Sequence, residues 1–207
     1  MSLERRAFYI DGFNLYFGLK DKGWRKYYWL NLQELCLRLT PNHQQLVKVR
    51  YFTARISGPN NDKRLRQKTY LQALETLPLV EIHYGHYLAH PQKCLKCGHT
   101  FTRFSEKKSD VNLAVAMLTD ALDDLYDIAV VISADSDLVP AIDAIRKHAP
   151  NKRIGLLSPP ERGSAALKNC CHFYVGSLGE AVIRKSQFSD NVTSKTGYPL
   201  TRPGHWT

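Results

Sequence analysis

Residues Asp127 to Ser133 read DIAVVIS, and Ala134 to Leu138 continue as ADSDL. The run IAVVI has no polar alternation. A strand with one wet face alternates, whereas an unbroken β-branched run marks a strand covered on both faces, as in a parallel sheet layered between helices. Working outward, Ser109 stands where it would cap a helix over 110–124, with Ala114, Leu118, Ala121 and Leu125 as its apolar stripe. After the buried strand come a helix over 137–147, a strand over 153–157, a short helix over 164–168 and a strand over 172–175. The amino-terminal half repeats the alternation. A strand over 7–10 ends at Asp11-Gly12 and leads to a helix over 13–20. A second helix, capped by Asn31, runs to Leu39 before Pro41. A strand over 46–54, a basic helix over 63–77 capped by Asn61 or Asp62, and a strand over 80–88 follow. This order predicts an α/β three-layer sandwich with a mainly parallel central sheet. Residues 1–184 are expected to form the domain, with a Cys-containing loop or hairpin at about 89–105. Residues 185–207 read as a polar tail with no core of its own, for which Phe188, Tyr198 and Trp206 are the available anchors.

The chain has 207 residues, enough to bury a sizeable core. Lys and Arg number 29 against 19 acids, a formal charge of +10 that favours a polyanionic partner, nucleic acid first. No stretch approaches the roughly 18 apolar residues of a membrane span, and Asp11 interrupts the first apolar run, so no secretory segment is expected. Five cysteines, an odd number, then point to a reducing cytoplasm with free or metal-bound thiols.

The aspartates carry the functional signal. Asp11 follows the first strand, and Asp135 and Asp137 follow the DIAVVIS strand. Open α/β sheets bind ligands outside the carboxyl ends of their strands, so neighbouring strands would bring these acids to one rim. Asp110 opens the long helix, where the dipole favours a carboxylate, and Asn14 lies one turn after Asp11. Two like charges about 4 Å apart repel by roughly 4 kcal/mol at an effective dielectric of ~20. Either some protonate or a cation neutralises them. Oxygen ligands without histidine suit Mg²⁺ or Mn²⁺, and such a site polarises a phosphodiester and activates water. Lys107 and Lys108 stand close before Asp110, placed to accept developing charge. Taken singly, each acid also reads as an ordinary turn or cap residue.

Three stretches, YIDGFNLYF (9–17), EKKSDVNLAVAMLTDA (106–121) and YDIAVVISADSDLVPAI (126–142), resemble in order and spacing the NYN domain of the PIN-like nuclease superfamily. RYFTARI, YLQALE and IHYGHY resemble its middle elements. SQFSDNV with RPGHW resembles the end of bacterial members. The resemblance implies a PIN-like fold, a divalent-metal acidic site and RNA as substrate. Asp11, Asp110, Asp135 and Asp137 occupy the positions of the family's acidic site, Asn14 that of its first-motif asparagine, and Glu106 with Lys107 those leading into the long helix. Some members carry an acid where this chain has Ala116. Asp120 lies one turn further on, about 15 Å along the helix from Asp110 at ~1.5 Å per residue. PIN-like domains often pair, which makes a homodimer an expectation.

Cys94 and Cys97, followed by Gly98 and His99, have the spacing of half a zinc knuckle. His90, His99, Cys170, Cys171, His172 or a partner chain would have to complete four ligands. Arg64 and Lys68, with Lys63 and Arg66, make the helix after the second strand strongly basic. With Arg55, Arg103, Lys107 and Lys108 they offer a path for a phosphate backbone. WRKYYW (24–29) reads either as a base-stacking surface or as packing. The sequence reading is therefore a metal-dependent ribonuclease acting on single-stranded RNA. The alternatives are a non-catalytic RNA-binding module using the same pocket and a phosphatase of another Rossmann-like group, although Phe13 stands where an aspartyl-nucleophile phosphatase needs a second acid.

Overall fold

The structure is a computed structural model, and it describes residues 3–57 and 60–206, without the side chains of 89, 90, 101 and 103–106. The expectations for Glu106, Arg103 and His90 lie outside the described residues. Along the chain run β1 (Glu4–Asp11), α1 (Gly12–Asp21), α2 (Leu32–Arg38), β2 (Gln44–Ala54), α3 (Asn61–Glu75), β3 (Val80–Lys93), β4 (Thr100–Lys107) and α4 (Ser109–Leu122). They are followed by β5 (Ile128–Ile132), α5 (Val139–His148), β6 (Arg153–Ser158), α6 (Ala165–Cys170), β7 (Phe173–Ser177), α7 (Glu180–Lys185), β8 (Asn191–Thr193) and β9 (Pro199–Thr201).

The central sheet has the order β4-β3-β2-β1-β5-β6-β7. Six strands are parallel, and β4 joins the edge antiparallel to β3. All five residues of β5 are buried, because each face of the sheet carries its own core. Phe8, Ile10, Val130 and Ile132 point into one core with Leu15, Trp29, Leu35, Leu71 and Leu74. Ala7, Tyr9, Ala129 and Val131 point into the other with Leu113, Met117, Ile142, Ile145 and Leu167. Thus α1, α2 and α3 cover one face and α4, α5 and α6 the other, the three-layer α/β arrangement expected.

Local details differ from the sequence reading. Asn31 caps α2 by accepting from the Glu34 amide at 2.9 Å, as expected. The cap of α3 is Asn60, which accepts from the Lys63 amide at 2.9 Å, rather than Asn61 or Asp62. Ser109 begins α4 from within: the capping position is Lys108, in a left-handed conformation (φ 79°) with no side-chain cap. The buried face of α4 is Leu113, Met117, Asp120 and Ala121. Ala114, Leu118 and Leu125 are only partly buried beside it. The expected stripe missed this face because an ion-paired aspartate sits in its middle. A Cβ on Gly12 would come within 2.6 Å of the Phe52 carbonyl, so glycine lets α1 start hard against β2.

The carboxy-terminal segment builds no separate core and completes the first one. Phe188, Leu200 and Trp206 are buried there, and Trp29 donates its indole N–H to the Ser189 carbonyl at 2.8 Å. Tyr198 is 70% exposed and anchors nothing. Tyr27 and Trp29 are also core residues, and the Trp29 ring packs against Tyr70, Phe188 and Trp206. These rings of WRKYYW are therefore spent on packing and are not a stacking platform for bases.

Candidate acidic site at the carboxyl edge of the sheet

Strands β1 and β5 are neighbours, with Ile10 opposite Ile132, so Asp11 and Ser133 leave the sheet side by side. From β1 the chain moves to β2 on one side, and from β5 to β6 on the other. This reversal opens the crevice in which open α/β sheets place ligands. Asp11 is 3% exposed and caps α1. Its Oδ1 accepts from the amides of Phe13 (3.0 Å) and Asn14 (2.9 Å). Its Oδ2 accepts from Asn14 Nδ2 (2.5 Å) and Ser133 Oγ (2.9 Å). Four donors fill the lone-pair sites of the carboxylate, which explains how a charge sits buried without an ion pair. Ser133 Oγ in turn accepts from the Asp135 amide at 3.1 Å, and Asp135 Oδ1 accepts from the Asp137 amide at 3.0 Å. The Asp135 side chain is half-buried and that of Asp137 is exposed. One hydrogen-bonded chain therefore links Asp11, Ser133, Asp135 and Asp137 across two adjacent strand ends.

Asp110 is exposed in the first turn of α4. It reaches the same edge because β4 ends with Lys107 opposite His86, just beyond the last β2–β3 pair, Ala54 with Gly85. The four acids share one rim, yet among the described residues no three His, Cys, Asp or Glu side chains converge closely enough to hold an ion. The donor set is nevertheless hard oxygen, with Asp137 exposed and Asp135 Oδ2 accepting from none of the described residues. Mg²⁺ keeps several waters and commonly uses one or two carboxylates plus substrate phosphates, so these residues fit a hydrated divalent ion.

Two polar groups here escaped the sequence reading. Ser133 reads in sequence as the end of a strand, and nothing local announces that its hydroxyl joins two acids. Arg162 lies in the loop after β6. It pairs with Asp21 at 2.9 Å, lies 5.5 Å over the Phe17 ring, and brings Nη1 to 3.5 Å from Asn14 Oδ1. Lys107, Lys108, Arg64 and Lys68 are exposed, Arg64 in the first turn of α3 and Lys68 at its middle, and α3 leaves the same edge after β2. Asp120 belongs elsewhere. Its carboxylate is held by Arg50 Nε (2.5 Å) and Nη2 (2.7 Å) and by the Tyr9 hydroxyl (2.6 Å). Burial and this carboxylate push the Tyr9 hydroxyl far above its ordinary pKa. Asp120 is a structural acid with its charge already met.

The cysteines separate in the same way. Cys94 and Cys97 lie at the tip of the β3–β4 hairpin. Cys170, Cys171 and His172 lie beside β7, at the opposite edge of the sheet. Burial pushes the Cys171 thiol up to about 12, and His172 Nδ1 accepts from the Ile154 amide at 3.0 Å. No ion held by one group is reached by the other within one chain.

Comparison with known proteins places this arrangement. The chain is 29% identical over 191 residues to 6-hydroxy-3-succinoylpyridine 3-monooxygenase HspA of Pseudomonas putida, covering 75% of this chain and 59% of that protein. The chain therefore spans well under two thirds of that relative. A solved structure, a protein of unknown function from Vibrio parahaemolyticus, superposes with a TM-score of 0.56 at 17% identity, over 86% of this chain and 94% of that one; it speaks for the fold alone. The model of the NYN domain matches residues 5–178, which takes in both strand ends, the long helix and the acids between them. The chain belongs to the NYN domain family, a PIN-like group made up in general of nucleases.

Proposed function

We propose that this protein hydrolyses phosphodiester bonds of single-stranded RNA at the carboxyl edge of its sheet. Asp11, Asp110, Asp135 and Asp137 would supply the charge that holds Mg²⁺ or Mn²⁺. The observation that carries this reading is the Asp11–Ser133–Asp135–Asp137 chain at the point where strand order reverses. A bound divalent ion supplies Lewis-acid polarisation of the phosphate and an acidified water. The protein's own groups do the rest. Asp135 Oδ2 and the Asp137 carboxylate are the open acceptors that take a water's hydrogens and turn its oxygen lone pair toward phosphorus. Asn14 and Ser133 hold Asp11 as a fixed negative charge behind them. Arg162 and Lys107 stand at the rim to meet negative charge as it develops on the phosphate, and Lys108, Arg64 and Lys68 extend the cationic path for the backbone.

Fold and family leave the reaction open, since one scaffold carries many chemistries and the relative from Pseudomonas putida is named as a monooxygenase. The test is cleavage of an end-labelled single-stranded RNA in Mg²⁺ or Mn²⁺. Wild type should cut, and Asp135→Asn and Asp137→Asn should each lose activity by about 100-fold or more, the scale of removing a group that stabilises developing charge. Equal cleavage by wild type and variants would refute the assignment. Metal-independent RNA retention with no cleavage at high protein concentration would replace it with the binding-module reading.

A further inference from the structure

We propose that the tip of the β3–β4 hairpin is half of a zinc–thiolate site and that the same tip of a second copy of this chain completes it. The inference is independent of the ribonuclease reading. After Gly85, its last residue paired with β2, β3 continues for eight residues paired only with β4. At roughly 3.3 Å per residue this carries the tip on the order of 25 Å along the arm. The turn itself is a closed knuckle. The Cys94 amide donates to the His99 carbonyl at 2.8 Å, and the Gly98 amide donates to the Cys94 carbonyl at 2.9 Å. Gly98 supplies the left-handed residue (φ 70°) that the turn requires.

The two backbone bonds close the chain on itself between Cys94 and His99, so Cys94 and Cys97 stand on one tight turn. The turn thus presents two cysteines together at the end of the arm, and cysteine binds metal through its thiolate. Thiolate donors select zinc among the common divalent ions, and a structural zinc takes four ligands. Among the described residues no cluster of three His, Cys, Asp or Glu exists. Of the other three cysteines, Cys36 is buried in the core and Cys170 and Cys171 lie at the far edge of the sheet.

Two ligands per chain on a projecting arm make half of a tetrahedral site, and a twofold axis through the ion supplies the other half by the same residues. Two further features fit this occupant. Leu95, between the two cysteines, is 102% exposed, an apolar side chain that a facing tip would cover. Four thiolates around Zn²⁺ leave a net charge of two minus, and Lys93 and Lys96 of both tips offset it.

The experiment uses the full chain, reduced and freed of metal, titrated with Co²⁺ alone and followed by absorption and light scattering. The expected result is the visible spectrum of tetrahedral thiolate-bound Co²⁺, saturating at one ion per two chains as monomer converts to dimer. Zn²⁺ should then displace the colour. Cys94→Ser and Cys97→Ser should lose both the spectrum and the metal-driven dimer with unchanged circular dichroism, and Cys171→Ser should keep both. Absence of thiolate bands, a one-to-one complex that stays monomeric, or a dimer unaffected by Cys94→Ser would overturn the proposal.

Discussion

The two edges of the same sheet treat their acids in opposite ways. At the amino edge, Asp127 accepts from the Arg5 amide at 2.8 Å and from its guanidinium at 3.1 and 2.7 Å. Asp124 pairs with Arg5 at 2.9 Å and with the buried Lys152, and Glu4 pairs with Arg153 at 2.8 Å. At the carboxyl edge Asp11 is held by amide and hydroxyl donors and Asp135 by the Asp137 amide, Asp137 is exposed, and among the described residues none of the three has an ion pair. Neutral donors fix a carboxylate's position and leave its charge largely uncancelled. The amino edge uses acids to close the architecture. On the reading proposed above, the acids of the carboxyl edge are the ones left for a cation from outside to neutralise.

This contrast breaks most visibly through exchange of function between the edges. Replacing Asp135 and Asp137 together by Asn should lower RNA cleavage by about 100-fold or more while moving the melting temperature by no more than about 2 °C, because neither is ion-paired among the described residues. Asp127→Ala should do the reverse. It strips three hydrogen bonds from Arg5 and removes one of the acids facing Lys152, which should cost about 2 kcal/mol in urea unfolding with cleavage per folded molecule unchanged. A large loss of stability in the first variant, or of specific activity in the second, would erase the distinction.

A pH titration sharpens the same point. Its hydrogen bonds from the Arg5 side chain hold the Asp127 carboxyl down at about 2, against an ordinary 3.8. A depressed acid stabilises the fold above its unfolded pKa and ceases to do so as pH falls through the folded value. Stability from this pair should therefore be complete above about pH 4 and disappear between there and about pH 2. Because the side chain is 36% exposed, screening reduces the loss to about 1 kcal/mol. Asp127→Asn should flatten that part of the stability profile. The smallest effects belong to the basic path. Arg64→Ala or Lys68→Ala should weaken single-stranded RNA binding roughly 3-fold at low salt and reduce the salt slope by about 0.7 each, with stability unaffected since both side chains are exposed.

Much of this molecule is legible in the chain of residues, and the misses share a cause. The β-branched run of β5 declares a strand covered on both faces, and the β–α alternation then leaves few arrangements. Asp11, Asp135 and Asp137 stand out in the sequence because they fall at or shortly after the ends of strands. Asp120 shows the limit: it reads as one more acid on α4, and only the fold brings Arg50 and Tyr9 onto it. Ser133 and Arg162 carry no local mark, since their partners lie 122 and 148 residues away in sequence. The cap of α3 moved to Asn60 because neighbouring Asn and Asp residues all satisfy the local rule, and helix position among them is set by packing.

Local periodicity and strand-end position are properties of a short stretch of chain. The sequence by itself therefore determined the layered α/β class, the six-strand parallel body and the rim on which the acids stand. Whether a charge on that framework is cancelled or left open depends on groups brought from distant segments, and electrostatic energy falls with distance in space rather than along the chain. The tertiary structure alone decided that Arg5, Arg50 and Lys152 cancel one set of acids, that Asp11, Asp135 and Asp137 have no cationic partner among the described residues, and that Cys94 and Cys97 stand at the far end of an arm from the remaining thiols.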